Sequence, residues 1–177
     1  MSQTDMHHIL PAPRLGPDCR ILIVRAPYYK DIGDDLLAGA EAAIAAAGAR
    51  SELIDVPGAL EIPTTIALAT NAARFLAYVA LGCVIRGETS HYDTVCNDSS
   101  RGLTLLGLKG HCIGNGILTV ENHAQAAVRA DPNGQNKGGG AANAAMHLLS
   151  IKRELAKPRT PSSFRPDSEH IQMASKD

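Results

Sequence analysis

The feature that most constrains this chain is an alternation: short apolar runs and stretches of helical periodicity succeed one another along most of its length. That alternation is what βαβ units produce, because a parallel strand is covered on both faces by the helices that connect it to its neighbours. The run 19–24 is β-rich, and Leu36, Leu37, Ala40, Ile44 and Ala47 then recur at helical spacing before Gly48 supplies a stop. A strand is expected at 52–56, a turn at Pro57-Gly58, and a helix at 63–73, opened by a proline in its first turn. The nearly continuous apolar run 77–85 reads as a central strand, and 91–108 as the helix after it. A fourth strand fits 112–120, where Gly114 and Gly116 indicate a close approach to the backbone. Helices at 121–130 and 138–155 follow, separated by Asp131-Pro132-Asn133-Gly134. The expectation is an α/β fold with a central four-stranded parallel sheet and helices on both faces.

Length and composition narrow the function classes. The 177 residues suit one domain plus tails, read as an extended arm at 1–18, a folded domain at 19–156, and a Pro/Ser-rich disordered tail at 157–177. With six aromatic residues in all, and 17 Lys+Arg against 18 Asp+Glu, the chain has neither stacking platforms nor a basic footprint for nucleic acid. The N-terminus lacks the pattern of a signal peptide, and the longest uncharged apolar stretch, 75–85, is short of the roughly 20 residues of a membrane span. Cys19, Cys83, Cys96 and Cys112 never form C-x-x-C and read as buried thiols, so a cytoplasmic protein without a metal is expected.

Ligands of open parallel sheets bind beyond the carboxyl ends of the strands, which directs attention to the strand-to-helix turns. After the 77–85 run, Gly87 permits a tight turn, and Glu88, Thr89 and Ser90 stand where a helix begins with unpaired N–H groups. That turn is either an anion site or an ordinary helix start capped by Thr89 or Ser90. His91 follows directly, either as a structural residue or as an imidazole able to exchange protons beside a bound anion. Arg129 and Lys137 bracket the 131–134 turn, as phosphate contacts or as solvated helix ends. Glu61 is a helix-start carboxylate or an acceptor for a polar ligand, and Tyr28 covers the sheet edge or stacks on a flat ring. Neither a P-loop nor a complete G-x-G-x-x-G is present, nor are H-E-x-x-H or G-x-S-x-G.

Four segments together carry a more specific signal: Val56-Pro57-Gly58-Ala59-Leu60-Glu61-Ile62-Pro63, the stretch from Leu81 to Asp93, Gly116-Ile117-Leu118-Thr119-Val120-Glu121-Asn122, and Asn136-Lys137-Gly138-Gly139. Their order and spacing, from about residue 19 to 155, resemble the 6,7-dimethyl-8-ribityllumazine synthase family. The resemblance implies a flavodoxin-like three-layer sandwich and a transferase of riboflavin biosynthesis. In that reaction 5-amino-6-ribitylaminouracil condenses with 3,4-dihydroxy-2-butanone 4-phosphate, releasing phosphate and water without a cofactor. It further implies His91 in proton transfer, Glu88 and Thr89 in the phosphate turn with Arg129 and Lys137, and Ala59, Leu60 and Glu61 along the ribityl chain. Cys83, Val84 and Ile85 match the strand end beneath the pyrimidine, and Tyr28 the aromatic that stacks on it, where Phe or Trp is more usual. Asn115 stands where many members place a Phe lent by a neighbouring subunit. Homopentamers with shared sites are implied, as is riboflavin synthase as a partner. Two other readings accompany this one: a low-turnover flavin- or lumazine-binding shell protein, prompted by Tyr28 and Asn115, and a generic phosphate-binding module. Retention of His91, Arg129 and Lys137 together favours the enzyme.

Overall fold

The computed structural model describes residues 10–157; residues 1–9 of the arm expected at 1–18 and all but the first residue of the tail expected at 157–177 lie outside them. Four strands, β1 (Arg20–Arg25), β2 (Arg50–Asp55), β3 (Ala77–Ile85) and β4 (Ile113–Val120), form one parallel sheet in the order β2-β1-β3-β4. Five helices connect and cover it: α1 (Lys30–Ala46), α2 (Glu61–Asn71), α3 (His91–Leu108), α4 (His123–Ala130) and α5 (Lys137–Ala156). The architecture is the expected α/β sandwich.

Side-chain alternation along β1 divides the core. Ile21 and Ile23 face one way and pack with Ile32, Leu36 and Ile44 of α1 and Met146 and Leu149 of α5. Leu22 and Val24 face the other way and pack with Ile62 and Ile66 of α2 and Leu103 and Leu106 of α3. Each fully buried side chain of this size contributes about 1.5–3 kcal/mol relative to exposure, so the central strands β1 and β3, buried on both faces, anchor the sandwich.

Several boundaries differ from the sequence reading: β1 (expected 19–24), β4 (112–120) and α5 (138–155) are displaced by one residue at one or both ends, β2 (52–56) starts two residues earlier and ends one earlier, α2 (63–73) is shifted two residues earlier, and α4 (121–130) starts two later. α2 starts at Glu61 rather than 63, because proline is tolerated throughout a first turn whose N–H groups have no intrahelical partner, and Pro63 therefore sits third. α4 starts at His123 rather than 121, because Asn122 is extended and its side chain accepts the Gln125 N–H at 2.9 Å, capping the helix from outside. The close approach expected at Gly114 is made by α5: a Cβ there would lie 1.8 Å from the Ala141 carbonyl oxygen. Gly48, at φ +77°, ends α1 in the left-handed conformation that glycine adopts without penalty.

Candidate active site

The turns after β1 and β2, the carboxyl end of β3, the turn after it and the first turns of α2 and α3 surround a cavity of about 430 Å³. Tyr28, Ala59, Leu60, Glu61, Cys83, Val84, Ile85, Thr89 and His91 all line it, nine of the thirteen residues singled out in the sequence. They come from the carboxyl end of β3, from strand-to-helix turns and from the first residues of α2 and α3, which is where an open parallel sheet leaves room for a ligand.

The walls differ in character. On one side Tyr28 is 75% exposed and meets Tyr29 edge to face, with ring centroids 5.1 Å apart, leaving a face of Tyr28 available to a flat ring. Another part of the wall is the segment 57–61, whose Glu61 carboxylate opens α2. The floor is the end of β3, where burial pushes the Cys83 thiol up to about 11, with the Asp31 carboxylate adding to the shift. A thiol so held is protonated and apolar in behaviour, which suits a surface under a ring rather than a nucleophile.

At the remaining edge α3 begins without a side-chain cap. Thr89 Oγ1 accepts the His91 N–H at a long 3.4 Å, and Ser90 caps nothing with its hydroxyl. Neither hydroxyl caps α3 at an ordinary hydrogen-bond length, so N–H groups of its first turn stay without a side-chain partner. His91 stands exposed at that terminus, with its neighbour Tyr92 against the cavity and under the Arg86 guanidinium, 4.1 Å from ring centroid to Cζ. Arg86 also bonds Glu121 at 3.0 Å and Asp93 at 3.4 Å, which ties the turn to the end of β4.

A family model described as 6,7-dimethyl-8-ribityllumazine synthase matches residues 18–153, which include every element of the sheet and the whole cavity. The chain belongs to the 6,7-dimethyl-8-ribityllumazine synthase family. Curated relatives carrying that name agree: one from Jannaschia sp. (strain CCS1) is 50% identical over 154 residues, covering 87% of this chain and 86% of its own. Another, from Methylorubrum populi, is 56% identical over 140 residues, covering 76% and 83%. A third, from Zymomonas mobilis, is 52% identical over 137 residues, covering 77% and 99%.

Four of the residues that resemble lumazine synthase site positions do not line the cavity of this chain. Glu88 is exposed in the same turn as Thr89. Asn115 pairs in register with Ala80, five residues before Ile85 on β3, so it sits about 16 Å below the cavity along the strand. Its side chain accepts the Ile117 N–H at 3.0 Å, and it borders a separate shallow groove with Leu103, Leu108 and Ile113. Arg129 lies in the last turn of α4 and donates to the Gln125 carbonyl at 3.0 Å, while Lys137 opens α5. Both belong to the layer that packs α1, α4 and α5, so neither brings a cation to the cavity of this chain. Among the described residues no group of three or more His, Cys, Asp or Glu is placed to hold a metal, and no helix is long and apolar enough to cross a membrane.

Sequence reasoning passed over Tyr29, Tyr92 and Val95 as cavity residues. Helical phase could have found the last two, since Tyr92 and Val95 are three apart and share a face with each other in the first turns of α3.

Proposed function

We propose that this chain condenses 5-amino-6-ribitylaminouracil with 3,4-dihydroxy-2-butanone 4-phosphate to 6,7-dimethyl-8-ribityllumazine in this cavity, completed by a second copy of the chain. The observation that carries the reading is the convergence on one cavity of a ring-sized aromatic face, the 57–61 segment and an uncapped helix start bearing His91.

In this reading Tyr28 stacks on the pyrimidine over Cys83, Val84 and Ile85. Ala59, Leu60 and Glu61 hold the ribityl chain, with Glu61 accepting its hydroxyls. The turn from Gly87 to Ser90, including Glu88 and Thr89, receives the butanone phosphate. His91 takes up and returns protons as the amine adds to the ketone, phosphate leaves and the ring closes, a role worth about 10²–10⁴-fold. Holding the two substrates side by side adds a proximity term of comparable weight.

Arg129 and Lys137 of a neighbouring copy supply the cations to the phosphate, and Asn115 of that copy borders the ring. Support comes from their distance from the cavity within one copy and from apolar surface that another chain would cover. Leu53 and Ile54 are exposed on β2, an open edge of the sheet, and Leu108 is 81% exposed on α3. A homopentamer fits, since a head-to-tail contact that closes into a ring gives every copy one complete site. Riboflavin synthase, which consumes lumazine, is the partner that this reading supplies, and the cytoplasm is the compartment.

The test is to mix the purified protein with both substrates and follow lumazine absorbance together with phosphate release. Equal rates of the two signals support the reading. Tight binding of lumazine or flavin without turnover would replace it with a binding protein.

A further inference from the structure

Arg25 is the one buried charged residue among the described residues. Its side chain is 10% exposed, and a guanidinium taken out of water is tolerated only where its donors are paired. Nε donates to Asp55 Oδ1 at 2.7 Å and a terminal nitrogen to Asp55 Oδ2 at 2.8 Å, a fork onto one carboxylate. The other terminal nitrogen donates to Asp34 Oδ1 of α1 at 2.8 Å, and Asp34 also takes the Lys30 ammonium. The backbone repeats the link, with the Val56 N–H donating to the Arg25 carbonyl at 2.8 Å and the Ala26 N–H to the Leu81 carbonyl at 2.9 Å. Arg25 therefore fastens the last residue of β2 to β1 and α1.

Two residues beyond Asp55 begins the 57–61 segment that lines the cavity. Ala59 within it and Ile62 after it pack into the core, but its hydrogen bonds are weak: the Glu61 N–H reaches the Gly58 carbonyl at 3.2 Å, the Ile62 N–H reaches the Ala59 carbonyl at 3.3 Å, and Leu60 offers no side-chain cap to α2. Upstream the segment hangs from two links that both end on Arg25, the Val56 N–H on the Arg25 carbonyl and the side-chain fork at Asp55, and only the fork depends on the guanidinium. Arg25 itself does not line the cavity, so any influence on a ligand passes through Asp55 and the segment.

We propose that Arg25 is a positioning residue: its fork onto Asp55 fixes the height of the 57–61 segment and thereby sets the grip of the cavity on the ribityl chain of the pyrimidine substrate. The proposal rests on the reading above that this segment holds the ribityl chain. Lysine cannot replace the fork, because it presents a point charge instead of two parallel donors. Displacement of a binding segment by even an ångström weakens contacts that depend on its position.

Asp55→Asn and Arg25→Lys test it in the full chain. The Asp55 side chain is 44% exposed, and Asp34 still pairs Arg25, so Asp55→Asn keeps the fold even where a change at Arg25 does not. Steady-state kinetics with each substrate varied, and amide hydrogen exchange of residues 58–62, are compared with Glu61→Ala. Expected are about tenfold faster exchange at 58–62, unchanged exchange in β3, and a KM for the pyrimidine raised about five- to tenfold, the size of one weakened hydrogen bond. The KM for the butanone phosphate stays within about twofold. Unchanged exchange, wild-type kinetics in Arg25→Lys, or an equal rise in both KM values would overturn the proposal. A raised pyrimidine KM in Glu61→Ala alone would overturn it while sparing the ribityl assignment. Faster exchange with unchanged pyrimidine KM in all three variants would overturn both.

Discussion

Gly114→Ala examines the packing that holds β4 and α5 together. In a strand, replacing glycine normally stabilises by about 0.4–1 kcal/mol, since the unfolded chain loses freedom. Here the added Cβ would stand 1.8 Å from the Ala141 carbonyl oxygen, 2.7 Å from its carbon and 3.2 Å from the Ala145 nitrogen. All three are backbone atoms of α5, so relief requires moving the helix rather than turning a side chain. Overpacking of a core costs about 1–3 kcal/mol, and a backbone obstacle puts this site in the upper half of that range. Subtracting the entropy gain leaves about 1–2.5 kcal/mol of destabilisation, or a fall in Tm of about 2–10 °C for a domain of this size. Gly140→Ala is the matched control, because nothing lies within 4 Å of its Cβ position in α5, and helix propensity there favours alanine by up to about 1 kcal/mol. Thermal melts are to be compared at one protomer concentration, since association shifts Tm. A Gly114→Ala protein melting at or above the parent would refute the packing argument, whatever the control does.

The other expectations concern the site. Arg129→Ala should raise the KM for the butanone phosphate by about 10- to 150-fold, the loss of a charge-assisted contact, and leave that for the pyrimidine nearly unchanged; equal effects in steady-state kinetics would contradict the assignment. His91→Ala should slow turnover by about 10²–10⁴-fold without abolishing it, because the two substrates still meet, and an unchanged rate removes His91 from the mechanism. Cys83, raised to about 11, should exist as about one thiolate per thousand molecules at pH 8 and resist alkylation in the native protein; labelling as fast as a free thiol would contradict its burial. The Arg25 guanidinium holds the Asp55 carboxyl below its usual range, so this pair contributes stability that is present above the unfolded carboxylate pKa and lost as pH falls through the lower folded value. Asp55→Asn should flatten the acid limb of a pH–stability curve, and a parallel limb would remove the pair from acid unfolding.

Much of the fold was legible because local and global signals coincide. The apolar run 77–85 and the periodicity of 91–108 match β3 and α3 at both ends, since a strand buried on both faces and a long amphipathic helix write themselves into adjacent residues. The starts of α2 and α4 were misplaced where one residue admits two roles: Pro63 fits any position of a first turn, and Asn122 fits a helix or a cap. Gly114 announced a close approach, but naming Ala141 as its cause needs the packing of α5. The fork from Arg25 to Asp55 is invisible in sequence, because 30 residues separate two side chains that only the β1–β2 register brings together. The residues that line the cavity could be sought at the strand ends and turns, whereas Arg129 and Lys137 were legible only as cations beside the 131–134 turn, and resemblance to the family alone relates them and Asn115 to this site.

In the proposed assembly each site is built from two copies of the chain, and mixing two damaged chains puts this to the test. His91→Ala and Arg129→Ala proteins are dissociated, combined in equal amounts and reassembled, and lumazine formation is measured at a butanone phosphate concentration far below the raised KM of the Arg129 variant, where each protein alone is strongly impaired. If the sites are shared in a ring, about one interface in four pairs an intact His91 with an intact neighbouring Arg129. Activity near one quarter of wild type is then expected. Activity that stays at the mean of the two separate variants, or a protein that remains monomeric throughout, would contradict the shared site.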